Sequence, residues 1–256
     1  MNDTGESFIS HLEALRSALL RCVAVTAALY PLGYIISPYI ISMLVQWCFP
    51  ESAGTLHYFA PMEVLWVRLR LALIVALLAA YPWNALQMWR FLLPALYRRE
   101  RRALGGCLFS SSLLFFGGAA FSVGLILPLL MNFSGGFATV ELRPSIGLAN
   151  FLNLAGWLTL AFGLMFQSPV VVLLAVRFGV VSSASLSAKR PYVMTVILIA
   201  AAVLTPPDVI SQLMLAIPTW LLFELGLLAA KRMERKAAAE APLLLREELE
   251  ERRFVG

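Results

Sequence analysis

Residues 192–230 form an almost unbroken apolar tract, interrupted at Thr205-Pro206-Pro207-Asp208 and closed by the basic run Lys231-Arg232-Met233-Glu234-Arg235-Lys236. As one helix the tract would be about 57 Å long at ~1.5 Å per residue, nearly twice the ~30 Å hydrocarbon core of a bilayer. A single span does not account for it. Proline removes a backbone donor and restricts the residue before it, and Asp caps new helices, so the tract predicts two short spans joined by a tight Pro-Pro turn. The turn then faces one side of a membrane and both flanks face the other.

Composition points the same way. With 60% hydrophobic residues, 14% charged residues and a mean hydropathy of +0.81, the chain has too little polar surface to coat a soluble globule. Its net charge of +5 and pI near 9.4 do not indicate nucleic acid, because the basic residues cluster at the ends of apolar runs and build no aromatic-interleaved basic face. The fold class expected is all-α: a polytopic membrane protein with six transmembrane helices, the last two short.

The six spans are expected at roughly 17–36, with a longer first span left open, then 64–89, 104–130, 150–176, 192–204 and 209–229. They make a membrane domain over 1–230, and 231–256 reads as a charged cytoplasmic tail, either a solvated helix or a disordered extension. The first apolar run is expected to be a retained span and not a removable signal peptide, since no basic region precedes it, Arg16 and Arg21 sit at its mouth and no small-residue cleavage site follows. Lys and Arg set the orientation. Arg16 and Arg21, Arg98 to Arg102, Arg177 with Lys189 and Arg190, and the run from Lys231 all fall on one side. The alternate connections, 47–63, 131–149 and 205–208, hold only Arg143, although Arg68 and Arg70 sit just inside the start of span two. By the positive-inside rule both termini are cytoplasmic. Residues 192–204 would cover only about 20 Å, so local bilayer thinning beside the last spans is expected.

Several chemistries are excluded by inventory. His11 and His57 fall on opposite sides in this topology, and neither a His-Glu-x-x-His motif nor a phosphate-cradling glycine loop occurs, so no enzyme, metal or cofactor is expected. Cys22, Cys48 and Cys107 have no paired spacing and are expected as small fillers, not a disulfide framework. Trp47, Phe49, Tyr58 and Phe59 suit an interfacial belt. Ser110-Ser111-Ser112 and Phe115-Phe116-Gly117-Gly118 read as close helix packing in span three. Spans one to five have no Asp, Glu or Lys in their central portions, where only Gln167 in span four and Glu224 towards the inner end of span six are strongly polar, with Asn153 nearer a span end. A proton relay or small-solute transporter has almost no stations. The acidic groups left are Glu100, within Arg98-Arg99-Glu100-Arg101-Arg102, and Glu13, in an amphipathic start whose stripe is Phe8, Leu12, Leu15 and Leu19. Glu100 in a local ion pair and Glu13 paired with Arg16 are the ordinary alternatives to a binding role.

Longer motifs carry more. The stretch Trp89-Arg90-Phe91-Leu92-Leu93-Pro94-Ala95-Leu96-Tyr97-Arg98-Arg99-Glu100-Arg101-Arg102 is followed by Lys189-Arg190-Pro191-Tyr192-Val193. Then come Leu204-Thr205-Pro206-Pro207-Asp208-Val209-Ile210-Ser211-Gln212, Ala216-Ile217-Pro218 and Phe223-Glu224-Leu225-Gly226. Together with His11-Leu12-Glu13-Ala14-Leu15-Arg16 and Ala161-Phe162-Gly163-Leu164-Met165-Phe166-Gln167-Ser168-Pro169, this resembles the TatC family of the twin-arginine protein translocase. The resemblance runs from residue 8 to about residue 230 and implies a receptor in the bacterial cytoplasmic (inner) membrane. Such a receptor binds twin-arginine signal peptides of folded cargo and works with single-span TatA/TatB-type subunits, in multiple copies, on the proton-motive force. It implies signal-peptide contacts at Glu100, Glu13, Phe91 and Arg99, and partner-docking or intramembrane polar roles at Gln167, Glu224 and Asp208. Bidentate pairing of a planar guanidinium with a carboxylate gives two acids a means of choosing Arg-Arg over Lys-Lys. A membrane scaffold that only holds partner helices together is the competing reading.

Two positions depart from the family pattern. The N-terminal family acid falls on Ala14, and Glu13 lies about 100° away around the helix, so either the helix is rotated or unwound locally or Glu100 carries more of the recognition. Gln167 stands where many members carry Glu; an amide hydrogen-bonds but exchanges no proton. Asp208 is also a simple cap for span six, and Glu224 calls for a donor on a neighbouring helix or a partner.

Overall fold

The computed structural model describes residues 3–49, 56–57, 59–92, 101–135, 147–205 and 209–254. Tyr58, Arg99, Glu100, Asp208 and the Pro206-Pro207 turn lie outside them. The chain is an all-α polytopic membrane protein. Among the described residues five helices are long and apolar enough to cross a bilayer, and Arg190–Leu204 is a shorter apolar helix. The helices group into two compact units, one over Met1–Leu164 with Leu204–Pro206, the other over Met165–Val203 with Pro207–Gly256.

The first unit is built on an antiparallel pair, α1 (Asp3–Cys48) and α2 (Glu63–Leu92). At 46 residues α1 outruns the expected first span at both ends and continues through Pro31 and Pro38. Pro38 has no N–H for the Tyr34 carbonyl, and the Ser37 hydroxyl donates to that oxygen at 2.8 Å instead. A hydroxyl that satisfies the freed carbonyl lets a proline stay inside a membrane helix. The facing side of α2 is a row of small residues, Ala72, Ala76 and Ala80, all buried. Against it lies Gly33, where a Cβ would come within 2.5 Å of the Ala72 carbonyl oxygen. Lipid offers no hydrophobic drive between helices, so backbone proximity of this kind supplies the association. Gly33→Ala is therefore expected to destabilise the chain by about 1–3 kcal/mol. Gly117→Ala, where an added methyl meets nothing within 4 Å, is expected to be neutral or to gain up to ~1 kcal/mol of helix propensity. Thermal unfolding of the two variants in detergent checks the contrast, and equal effects would remove the close α1/α2 approach as its basis.

Span three is α3 (Arg101–Phe121) and α4 (Leu127–Gly135), joined by a π-helical turn at Ser122–Ile126 that the apolar pattern did not reveal. The Phe115 ring stacks on Tyr81 of α2 with centroids 3.5 Å apart, and the Tyr81 hydroxyl lies 2.9 Å from Ser111 Oγ. The serine run thus serves packing, as expected, through Ser111. Helix α5 (Leu148–Met165) closes the unit. At its start Glu63 accepts from the backbone N–H of Phe59 (2.6 Å), Ala60 (3.2 Å) and Ala149 (3.2 Å), tying the turn before α2 to the first turn of α5 with one carboxylate. His57 contributes backbone only, its carbonyl accepting from Leu148 N at 2.9 Å. Cys22 and Cys48 are free thiols, Cys48 buried.

The second unit holds α6 (Ser168–Arg177), α7 (Ser183–Ala188), α8 (Arg190–Leu204) and α9 (Val209–Phe254). The expected span four is broken at Phe166 and Gln167, because Pro169 at the start of α6 cannot donate to the preceding turn. Helix α6 packs on α9 where Gly226 meets Pro169; a Cβ there would stand 2.7 Å from Pro169 Cα. Glu234 of α9 accepts from Ser183 N (3.2 Å) and from the Ser183 hydroxyl, fixing the start of α7. Helix α9 runs unbroken from the apolar span into the charged segment, as its Ala, Leu, Glu and Arg content favours.

Candidate functional site

The N-terminal turns of α1 carry the first group of predicted residues. Contacts of Thr26 with Asn84 (3.4 Å) and of Ser37 with Arg68 (3.3 Å) fix α1 and α2 as antiparallel. That register puts Glu13 at the same end of the pair as Phe91, the half-buried residue near the end of α2. Glu100 and Arg99 follow Phe91 in the chain and lie outside the described residues. The backbone through Glu13 and Ala14 is regular helix, without local unwinding, and both residues are exposed. Glu13 has no hydrogen-bond or ion-pair partner among the described residues, so the Arg16 pairing that its i+3 spacing allows is not made. Ser17 bonds the Ala14 carbonyl at 2.9 Å, a contact internal to the helix. Leu12 and Leu19 of the amphipathic stripe are exposed, an apolar flank beside this carboxylate.

In the second unit Glu224 does find the donor its position called for. Arg190, the first residue of α8, places Nη2 2.8 Å from Glu224 Oε2 and Nε 2.7 Å from Oε1. The Nη2 contact is an aligned hydrogen bond, whereas the Nε approach is an ionic contact out of line for one. The pair is partly exposed, 43% for the Arg190 side chain and 25% for Glu224. Deeper along the same two helices, Gln212 Nε2 donates to the Leu198 carbonyl at 3.1 Å. Two polar ties therefore hold α8 to α9. Charge asymmetry accounts for Arg190 without revealing this pairing; a lone acid in the apolar part of α9 and a lone guanidinium at the mouth of α8 are its only signal in the sequence.

Gln167 is half-buried at the α5/α6 break, and its backbone carbonyl accepts from Val171 N at 3.0 Å. Asp208 lies outside the described residues. No group of three His, Cys, Asp or Glu side chains that could hold a metal occurs among the described residues. Tyr192 and Lys189, beside Arg190, are exposed. The chemistry on offer is ionic and hydrogen-bonding recognition of a basic, partly apolar segment at the free carboxylate end of α1.

Comparison with known proteins follows the same lines. Residues 10–218 match the family described as Sec-independent protein translocase protein (TatC). The Sec-independent protein translocase protein TatC of Haemophilus influenzae is 35% identical over 244 residues, covering 91% of this chain and 92% of its own length. Its counterpart in Escherichia coli strain K12 is 34% identical over 230 residues, 86% of each chain. A crystal structure of the twin arginine translocase receptor TatC in DDM superposes with a TM-score of 0.78 at 28% identity, covering 86% of this chain and 99% of that one.

Proposed function

The chain belongs to the TatC family of Sec-independent protein translocases, and from that premise we propose that it is the membrane receptor for twin-arginine signal peptides in a complex that exports folded proteins. The family is one of transport proteins, and the reading assigns the chain no catalysis. Glu100 and Glu13 receive the arginine pair of the signal, with Phe91 packing on the apolar residues that follow it and Arg99 flanking the site. The observation that carries this is Glu13, a carboxylate exposed on a regular helix with no partner among the described residues, at the same end of the α1/α2 pair as Phe91. A free acid beside an exposed leucine stripe is complementary to a segment with two guanidiniums and an apolar continuation.

Both termini are cytoplasmic in this reading, and 231–254 extends α9 beyond the membrane domain. Its charge composition, not a break in the backbone, marks the boundary. Gln167 and Asp208 serve the single-span TatA/TatB-type partners, while Glu224 is an intramembrane polar group held by Arg190. Gln167 docks a partner's polar residue as a hydrogen-bonding amide and is no proton carrier, since a carboxamide does not titrate. The proton-motive force then acts elsewhere in the complex.

Photo-crosslinking in membranes tests the receptor role. With a crosslinker placed at Leu12 or Phe91, an Arg-Arg signal peptide is expected to give an adduct that its Lys-Lys form does not. Adducts of equal yield from both forms would leave the chain as a scaffold and move recognition elsewhere.

A further inference from the structure

Arg68 and Arg70 break the charge asymmetry that orients the chain, and their surroundings supply a reason. Each sits inside the first two turns of α2, at the end of the α1/α2 pair away from the N terminus. Neither has a carboxylate partner among the described residues. Glu63, the nearest acid in the chain, is engaged by three backbone N–H groups. Arg68 donates through Nε to Ser37 Oγ at 3.3 Å, and its guanidinium carbon lies 4.6 Å from the centre of the Tyr34 ring. Its terminal nitrogens have no protein partner among the described residues. Among the described residues Arg70 reaches only Asn153, Nη1 to Oδ1 at 3.4 Å, and is exposed. Two residues apart on a helix is about 200°, so the two guanidiniums serve opposite faces of α2.

A guanidinium cannot shed its charge by deprotonation, and leaving it uncompensated at membrane depth is costly. The helix lengths show where this charge stands. From Leu12 to Ser37 α1 is about 39 Å long, and from Arg68 to Phe91 α2 is about 36 Å, at ~1.5 Å per residue. Both exceed the ~30 Å hydrocarbon core, with allowance for tilt, before Arg68 is reached. Arg68 is therefore level with the headgroups of the far leaflet, where the exposed Trp66 and Tyr39 also belong as interfacial aromatics. Resting on one ring and tethered through Nε, the guanidinium has its free edge already oriented, as bidentate binding of a phosphate requires.

We propose that Arg68, seated on Tyr34 and tethered by Ser37, binds the phosphate of an anionic phospholipid, and that Arg70 beside Asn153 holds a second such headgroup on the opposite face. An anionic lipid suits the site better than a zwitterionic one, whose amine would bring a second positive charge to the guanidinium. The ring of lipid phosphates sets the depth of α2 and relieves the positive charge on the far side. The inference does not depend on the receptor reading.

Lipid retention by the full chain, measured by native mass spectrometry after detergent purification and addition of defined lipids, tests it. The wild type is expected to retain phosphatidylglycerol over phosphatidylethanolamine and over diacylglycerol of the same tails, and millimolar inorganic phosphate should not displace it. Arg68→Gln is expected to lower the affinity of one phosphatidylglycerol about tenfold. Equal retention by Arg68→Gln and wild type, or equal retention of diacylglycerol and phosphatidylglycerol, would overturn the proposal. So would displacement by free phosphate, or a soluble polyglutamate binding at Arg68 more tightly than lipid, which would assign the guanidinium to a protein partner. Should Arg68→Gln not fold, Arg68→Lys decides instead: it keeps the charge and loses the fork, so a several-fold loss supports the site and unchanged retention overturns it.

Discussion

Replacing Glu100 with alanine is expected to abolish export of twin-arginine cargo while the chain remains folded in the membrane. A charge-assisted bidentate pair contributes about 1.5–3 kcal/mol, which is roughly 10–100-fold in signal-peptide affinity. The loss should fall on selectivity as well as on affinity: Glu100→Ala is expected to bind Arg-Arg and Lys-Lys peptides alike, because the group that distinguishes a planar fork from a point charge is gone. Glu100→Asp, which keeps the carboxylate on a shorter arm, should retain part of the preference. Fluorescence anisotropy with a labelled signal peptide and the reconstituted chain reads both quantities. An unchanged Arg-Arg preference in Glu100→Ala would sink the assignment of the arginine pair to this residue.

Glu13 enters the same experiment through its neighbour. If its carboxylate completes the site, Glu13→Ala weakens Arg-Arg binding, and adding Ala14→Glu restores it, because the acid then occupies the family position on a helix that is regular through both residues. Failure of the restoration would place the working acid elsewhere on α1.

The second large effect concerns the Arg190–Glu224 pair, and it is expected to be asymmetric. Arg190→Ala leaves a carboxylate on an apolar helix without its counter-ion and should destabilise the chain by about 2 kcal/mol, below the ~3–5 kcal/mol of a fully buried pair because both side chains are partly exposed. Glu224→Ala should cost less. Arg190 opens α8, and its long side chain reaches the interface once released. The double variant Arg190→Ala, Glu224→Ala is expected to be more stable than Arg190→Ala alone, since it removes the unpaired charge together with the pair. Thermal unfolding of the three variants in one detergent orders them. Equal destabilisation by the two single substitutions would mean that the contact acts through packing and not through charge.

Much of the architecture was legible from periodicity and length alone, because each span must satisfy its own backbone hydrogen bonds in lipid and so announces itself as a long apolar run. What the runs did not show is where helices break or continue within them. Span four divides at Gln167 because Pro169 cannot donate to the turn before it, whereas α1 passes Pro38 without a break because the Ser37 hydroxyl takes the freed carbonyl. The same residue type opens one helix and lies inside the other, at Pro31 as well as Pro38, a difference the apolar pattern does not carry. Glu13, Phe91, Gln167 and Glu224 were legible as candidates through motif position. That Glu224 belongs to Arg190 was not, since 34 residues and a helical hairpin separate them in the chain.

The sequence by itself determined an all-α membrane protein, its family and the end of the chain where recognition is sought, because hydropathy, charge asymmetry and long ordered motifs are local properties of the chain. Only the tertiary structure decided which polar groups satisfy one another: Arg190 with Glu224, Glu63 with the turn before α2 and the start of α5, and Glu13 with no partner among the described residues. The same holds for Arg68, which rests on Tyr34 with its charge left over for lipid. The physical reason is that the worth of a charge in a low-dielectric setting depends on what stands within a few ångströms of it, and packing, not sequence spacing, sets those neighbours.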